Sequence, residues 1–209
     1  MAFALRVAGS LIGKPPSGRP RAIRALFFGQ RSTRIGKHWG WFVTGLTPRV
    51  RGWPYSECMK TIQTLAEMPA LIGQEVVVSD WITITQEQVN LFAEATGDHQ
   101  WIHVDVERAK AGPFGAPIAH GFLTLSLLPR FFASSLHIAE TRMGVNYGLN
   151  KVRFVSPVPV GSRLRARMKL LACDPIDNKG MQMTWEVTTE REGGSKPVCV
   201  AESIARHYP

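Results

Sequence analysis

Two short stretches hold the side chains best suited to moving protons. Residues 95–103 read ATGDHQWIH and residues 115–122 read GAPIAHGF. The first sets a carboxylate, Asp98, and an imidazole, His103, five residues apart on an irregular loop just beyond a helix stop. Loops fixed by rigid elements commonly carry catalytic groups. Such a pair can take a proton from one atom of a substrate and return one to another. The second stretch puts His120 and Gly121 in the first turn of an apolar helix, where unbonded N–H groups and the helix dipole favour developing negative charge. On residue types alone a structural reading stands beside the catalytic one. Asp and His in loops often serve turns and hydrogen bonds, His120 can be a hydrogen-bonding residue at a helix start, and Gly121 can simply allow close packing. His99 reads as solvated, and His137 and His207 show no partner.

Other chemistries lack their signatures. The chain has no P-loop, no dinucleotide-binding glycine fingerprint, no HExxH and no Gly-x-Ser-x-Gly elbow. Cys58, Cys173 and Cys199 are widely spaced, with no Cys/His set at zinc spacing, so no metal site is expected.

The elements around these residues follow from periodicity and punctuation. Residues 61–72 predict a short helix leading to Gly73, and 76–85 an extended stretch rich in β-branched residues. Thr85 with Gln88 three residues on forms a capping-box pattern, Val89, Phe92 and Ala93 follow at helical spacing, and Gly97 supplies the stop. Asp105 is placed to cap a second short helix through Ala111, before a breaker-rich loop at 112–117. Residues 118–136 then read as a helix apolar almost all round, bent near Pro129. Its apolar run before Pro129 is about eleven residues, against the roughly 20 that a bilayer requires, so it predicts a core helix and no membrane span. Strands are predicted at 149–155, 162–173, 181–191 and 197–207. The order favours an α+β fold with an antiparallel sheet around one helix.

The net charge of +9 is unevenly spread. Residues 1–58 hold ten of the 25 Lys/Arg and one of the 16 Asp/Glu, and the remainder of the chain is neutral. The main body therefore lacks the basic footprint of a nucleic-acid-binding domain. Residues 1–58 are expected to be a basic extension, either disordered or upstream of a true start at Met59, with 59–209 as the folded domain. The expected location is cytoplasmic, or mitochondrial if the extension is a leader.

The run from Phe92 through Gly97, Asp98 and His103 to Ala109, with Pro117-IAHGF, NYGLNKVRF at 146–154 and PVPVGS at 157–162, resembles the MaoC-like (R)-specific enoyl-CoA hydratases. The likeness is greatest to the nodulation-protein-N-like branch and covers roughly residues 73–209. One departure is that the usual Asn-Pro between the acid and the imidazole is here Gln100-Trp101. The resemblance implies a hot-dog fold, a curved antiparallel sheet wrapped around the helix at 118–136, and a homodimer with the acyl pocket near the interface. It implies acid–base catalysis by Asp98 and His103, an oxyanion donor in the backbone N–H of Gly121, and substrate contacts from His120, Gln100 and Trp101. The substrate expected is an acyl-CoA, with no cofactor beyond the coenzyme A it carries. For its phosphates, Arg163 and Arg165 lie on one strand with Arg167 and Lys169, and Lys151 and Arg153 form a second pair; a solvated strand face is the competing reading. A thioesterase of the same fold and a non-catalytic acyl-thioester-binding protein are the alternative functions.

Overall fold

A computed structural model describes residues 59–209, and the expectations for residues 1–58 lie outside the described residues. The chain opens with β1 (Lys60–Ile62), a 3-10 helix (Leu65–Leu71), β2 (Glu75–Val78) and β3 (Ile82–Thr83). The single helix expected over 61–72 is thus a short strand and a tighter helix. Pro69 sits inside that helix and cannot donate the i→i−4 bond that an α-helix needs. Thr64 and Glu67 form a capping box at its start.

Helix α1 (Gln86–Thr96) begins and ends where its residues dictate. The Thr85 side chain accepts from the Gln88 N–H, the Gln88 side chain returns to the Thr85 N–H, and Gly97 closes the helix at φ 76°. Two short helices follow, α2 (Trp101–Val104) and α3 (Val106–Lys110), the latter capped by the Asp105 carboxylate on the Arg108 N–H.

The predicted long helix is two helices, α4 (Gly121–Ser126) and α5 (Leu128–Ser135), and its last residues instead form β4 (Leu136–Ile138), which pairs in parallel with β1. It starts late because Ile118 forms an antiparallel bridge with Pro159 and the backbone is still extended at His120 (φ −60°, ψ 141°). It breaks at Leu127 because Pro129 has no N–H and its ring clashes with the carbonyl four residues back. Nor is it buried all round. Leu123, Leu128 and Phe131 face the core, whereas Phe122 is 69% exposed.

The rest is a sheet of β5 (Met143–Phe154), β6 (Arg163–Ile176), β7 (Gly180–Arg191) and β8 (Cys199–Tyr208). Its order is β2-β6-β7-β8-β5, antiparallel throughout, with β3 also on β6. Three strands match expectation closely. The fourth, β5, starts six residues before the predicted 149, because Gly144, Asn146 and Gly148 hide its alternation. Phe131 and Trp185 are almost wholly buried, and Phe132 meets the Trp185 ring edge-on, so α5 packs on the sheet. Among the described residues, no helix is long and apolar enough to cross a membrane.

Candidate active site

Three backbone anchors assemble the site. The Gln86 side-chain amide, at the first position of α1, donates to the His103 carbonyl at 2.8 Å. The His103 ring lies 2.7 Å through Nδ1 from the Ile118 carbonyl, and the His120 ring lies 2.9 Å through Nε2 from the Asp98 carbonyl. A carbonyl only accepts, so the proton sits on Nδ1 of His103 and on Nε2 of His120. His103 therefore presents an unprotonated Nε2. Gln86 was not singled out from the sequence, since a side chain that bonds a distant main-chain carbonyl leaves no pattern in composition or spacing.

His103 and His120 are both buried, at 6% and 2% exposure, and their rings stack with centroids 3.8 Å apart. Asp98 is exposed at the loop surface. One carboxylate oxygen of Asp98 and one ring nitrogen of each histidine all lie within 4.8 Å of one another. A water at ordinary hydrogen-bond distance from two atoms can link a pair up to roughly 5.5 Å apart. Burial holds the pKa of His103 below its usual value. The Ile118 carbonyl and the charge of Asp98 push it up and His120 pushes it down, without reversing the direction.

Two His and one Asp also invite the question of a metal ion. The two ring planes are inclined by only 28° at 3.8 Å separation. In-plane lone pairs so disposed do not meet at a point about 2 Å from both nitrogens, the distance a Zn–N bond requires. The residues do not fit that role.

His103 and Gly121 line a cavity of about 310 Å³ with Phe114, Thr124, Phe154 and Ser156. Gly121 is glycine for a visible reason: a Cβ there would stand 2.9 Å from the Phe154 ring. Of the other expected site residues, Gln100 is exposed at the N-cap of α2, and Trp101 packs against Gly112 under Arg108, whose guanidinium lies 4.5 Å above the indole. Neither lines the cavity, and nor do Asp98 and His120, which stand beside His103 outside its lining. Arg163 pairs with Glu192, and Arg165 and Arg167 share Glu190, with Arg167 also on Glu75. Burial raises Glu190, but the two arginines outweigh it and leave the carboxyl below its usual pKa. Lys151 and Arg153 are exposed on β5, with the Arg153 guanidinium donating to the Val152 carbonyl. His99 is half-exposed near Glu94, and His137 is exposed. His137 and His207 both line a second cavity, of about 380 Å³, between α5 and the sheet, where His207 is the more enclosed. Burial lowers the pKa of His207.

The sequence profile of the MaoC like domain matches residues 67–191. The chain belongs to the MaoC-like family. Over 149 residues this MaoC-like chain is 56% identical to 3-hydroxyacyl-thioester dehydratase Z of Mycobacterium tuberculosis, covering 71% of the chain and 99% of that relative. It is 50% identical over 143 residues to Nodulation protein N of Rhizobium leguminosarum, covering 68% of the chain and 89% of the relative. Among solved structures, an R-hydratase of Pseudomonas aeruginosa superposes with a TM-score of 0.51 at 25% identity, covering 66% of this chain and 81% of that one. The α+β hot-dog architecture expected for residues 59–209 is that of the MaoC-like fold described above.

Proposed function

We propose that the protein catalyses the reversible addition of water to a trans-2-enoyl thioester, giving the (R)-3-hydroxyacyl thioester, with coenzyme A as the carrier. The observation that supports this most directly is the His103 ring. Its Nδ1–H is spent on the Ile118 carbonyl, which leaves Nε2 with its lone pair, and one of its ring nitrogens lies within 4.8 Å of an Asp98 carboxylate oxygen, a gap that one water can span. The name of the mycobacterial dehydratase supports the same reaction in its dehydration direction.

In this reading His103 Nε2 takes a proton from the water as its oxygen bonds to Cβ. Electron density moves through Cα to the thioester oxygen, where the Gly121 N–H at the start of α4 donates. Protonated Asp98 gives its proton to Cα, and transfer of the His103 proton back to Asp98 resets the pair. Acid and base are one coupled system. The step consumes only water and the thioester, and coenzyme A enters as part of the substrate. His120 backs the pair, and Gln100 and Trp101, which stand outside the cavity, have no part in this reading. For the CoA phosphates Lys151 and Arg153 are the better candidates, because Arg163 and Arg165 already hold carboxylates. The working unit is a homodimer joined through β5.

The test is to follow loss of the enoyl absorbance on a series of enoyl-CoA lengths, with chiral analysis of the product and a parallel assay of thiol release. Hydration to the (R)-alcohol without thiol release is expected. Thiol release in step with substrate loss would make the protein a thioesterase.

A further inference from the structure

His120 is almost fully buried, yet no proton passes through it in the proposed reaction. Its surroundings define a different task. Nε2–H donates to the main-chain carbonyl of Asp98, and Nδ1, left with a lone pair, has no hydrogen-bond partner among the described residues. Its ring stacks on that of His103, with centroids 3.8 Å apart. Phe92 covers it with centroids 5.0 Å apart, closing the ring between α1 and His103.

Among the described residues, the Asp98 loop has little else to hold it. The chain turns through Gly97 in the left-handed region, and the Asp98 N–H reaches Thr96 Oγ1 only at 3.5 Å. The firm tether of the Asp98 main chain is the His120 imidazole at 2.9 Å. We infer that His120 is a positioning residue: an N–H donor that ties the Asp98 backbone to the start of α4 and so sets the carboxylate within a water's reach of His103. This rests on the reading of Asp98 and His103 as the hydratase pair. It adds that the donor, rather than the bulk of the ring, is what catalysis requires.

Two substitutions separate donor from bulk in the full chain. His120→Gln keeps an N–H at a similar reach and loses the ring, and His120→Phe keeps a stacked ring and loses the donor. For His120→Phe, kcat on crotonyl-CoA should fall by about 10- to 100-fold with KM nearly unchanged, since small misplacements of a catalytic group cost on that order. His120→Gln should stay within about fivefold of the parent in kcat. The inference is overturned if His120→Phe retains parental kcat, if it changes KM alone, or if the Gln variant is as impaired as the Phe variant while both unfold at the parental temperature. A measurement on the unmodified protein keeps the question open to test even if His120→Phe does not fold. Ring-nitrogen NMR should show the His120 tautomer that carries its proton on Nε2, and the Nδ1–H tautomer overturns it. If the unmodified protein hydrates no enoyl thioester while these ring signals are as expected, the hydratase reading fails and the tether stands.

Discussion

At the scale of single residues, the chemistry depends on which nitrogen of His103 is free. The Ile118 carbonyl fixes that choice, and burial keeps the ring neutral. Asp98→Asn and His103→Gln should each lower kcat for hydration by at least about 10²-fold, the range general acid–base groups contribute, with folding unchanged by circular dichroism. Near-parental turnover in either would end the assignment. The pH profile carries a sign of its own. A base must be unprotonated to act, and burial puts the pKa of His103 below the 6.5 of a free imidazole. The limb of kcat/KM that reports His103 should therefore be centred below pH 6.5, in whichever order it and Asp98 titrate. A limb centred above 6.5 would mean that a different group supplies the base.

At the scale of elements, the site depends on how accurately α1 starts and stops, and both ends were legible in the residues. Thr85, Gln88 and Gly97 set the helix limits through local hydrogen bonds and backbone sterics, which need no tertiary information. Removing them has calculable effects. Thr85→Ala should destabilise the fold by about 1 kcal/mol, the usual worth of an N-cap, lowering Tm by about 2–4 °C for a domain of this size. Gly97→Ala forces a Cβ into φ 76°, at a cost of roughly 1–2 kcal/mol. Because Asp98 is the next residue, kcat should fall more than stability does, and a Gly97→Ala enzyme with parental kcat would show that the turn does not set the carboxylate. The same local logic misled at 118–136. Apolar periodicity announced one helix, but Ile118 is held extended by a bridge to Pro159 and its carbonyl takes the His103 ring, partners distant in sequence. Likewise the Asp98–His103 pair was legible as a motif, whereas the anchors that orient it are main-chain carbonyls, which every residue carries and no motif marks.

At the scale of the whole molecule, the sheet ends in an edge that asks for a partner. Strand β5 is twelve residues long and, among the described residues, pairs on one side only, with β8. Met143, Val145, Tyr147 and Leu149 along it are 40–55% exposed, and Phe122 and Phe154 stand exposed beside the cavity that holds His103. A long apolar edge strand left open is an aggregation hazard that monomers normally blunt. An antiparallel pairing of β5 with its own copy would satisfy the unpaired backbone groups about a two-fold axis. It would also cover those side chains close to Gly121, which contacts Phe154. The double variant Val145→Lys, Leu149→Lys places like charges opposite one another in that pairing. The parental protein should sediment as a dimer at micromolar concentration and the double variant as a monomer. Hydratase activity should fall with the dimer fraction if the second copy closes the cavity. A parental protein that sediments as a monomer, or a double variant that remains dimeric, would place the interface elsewhere than on β5.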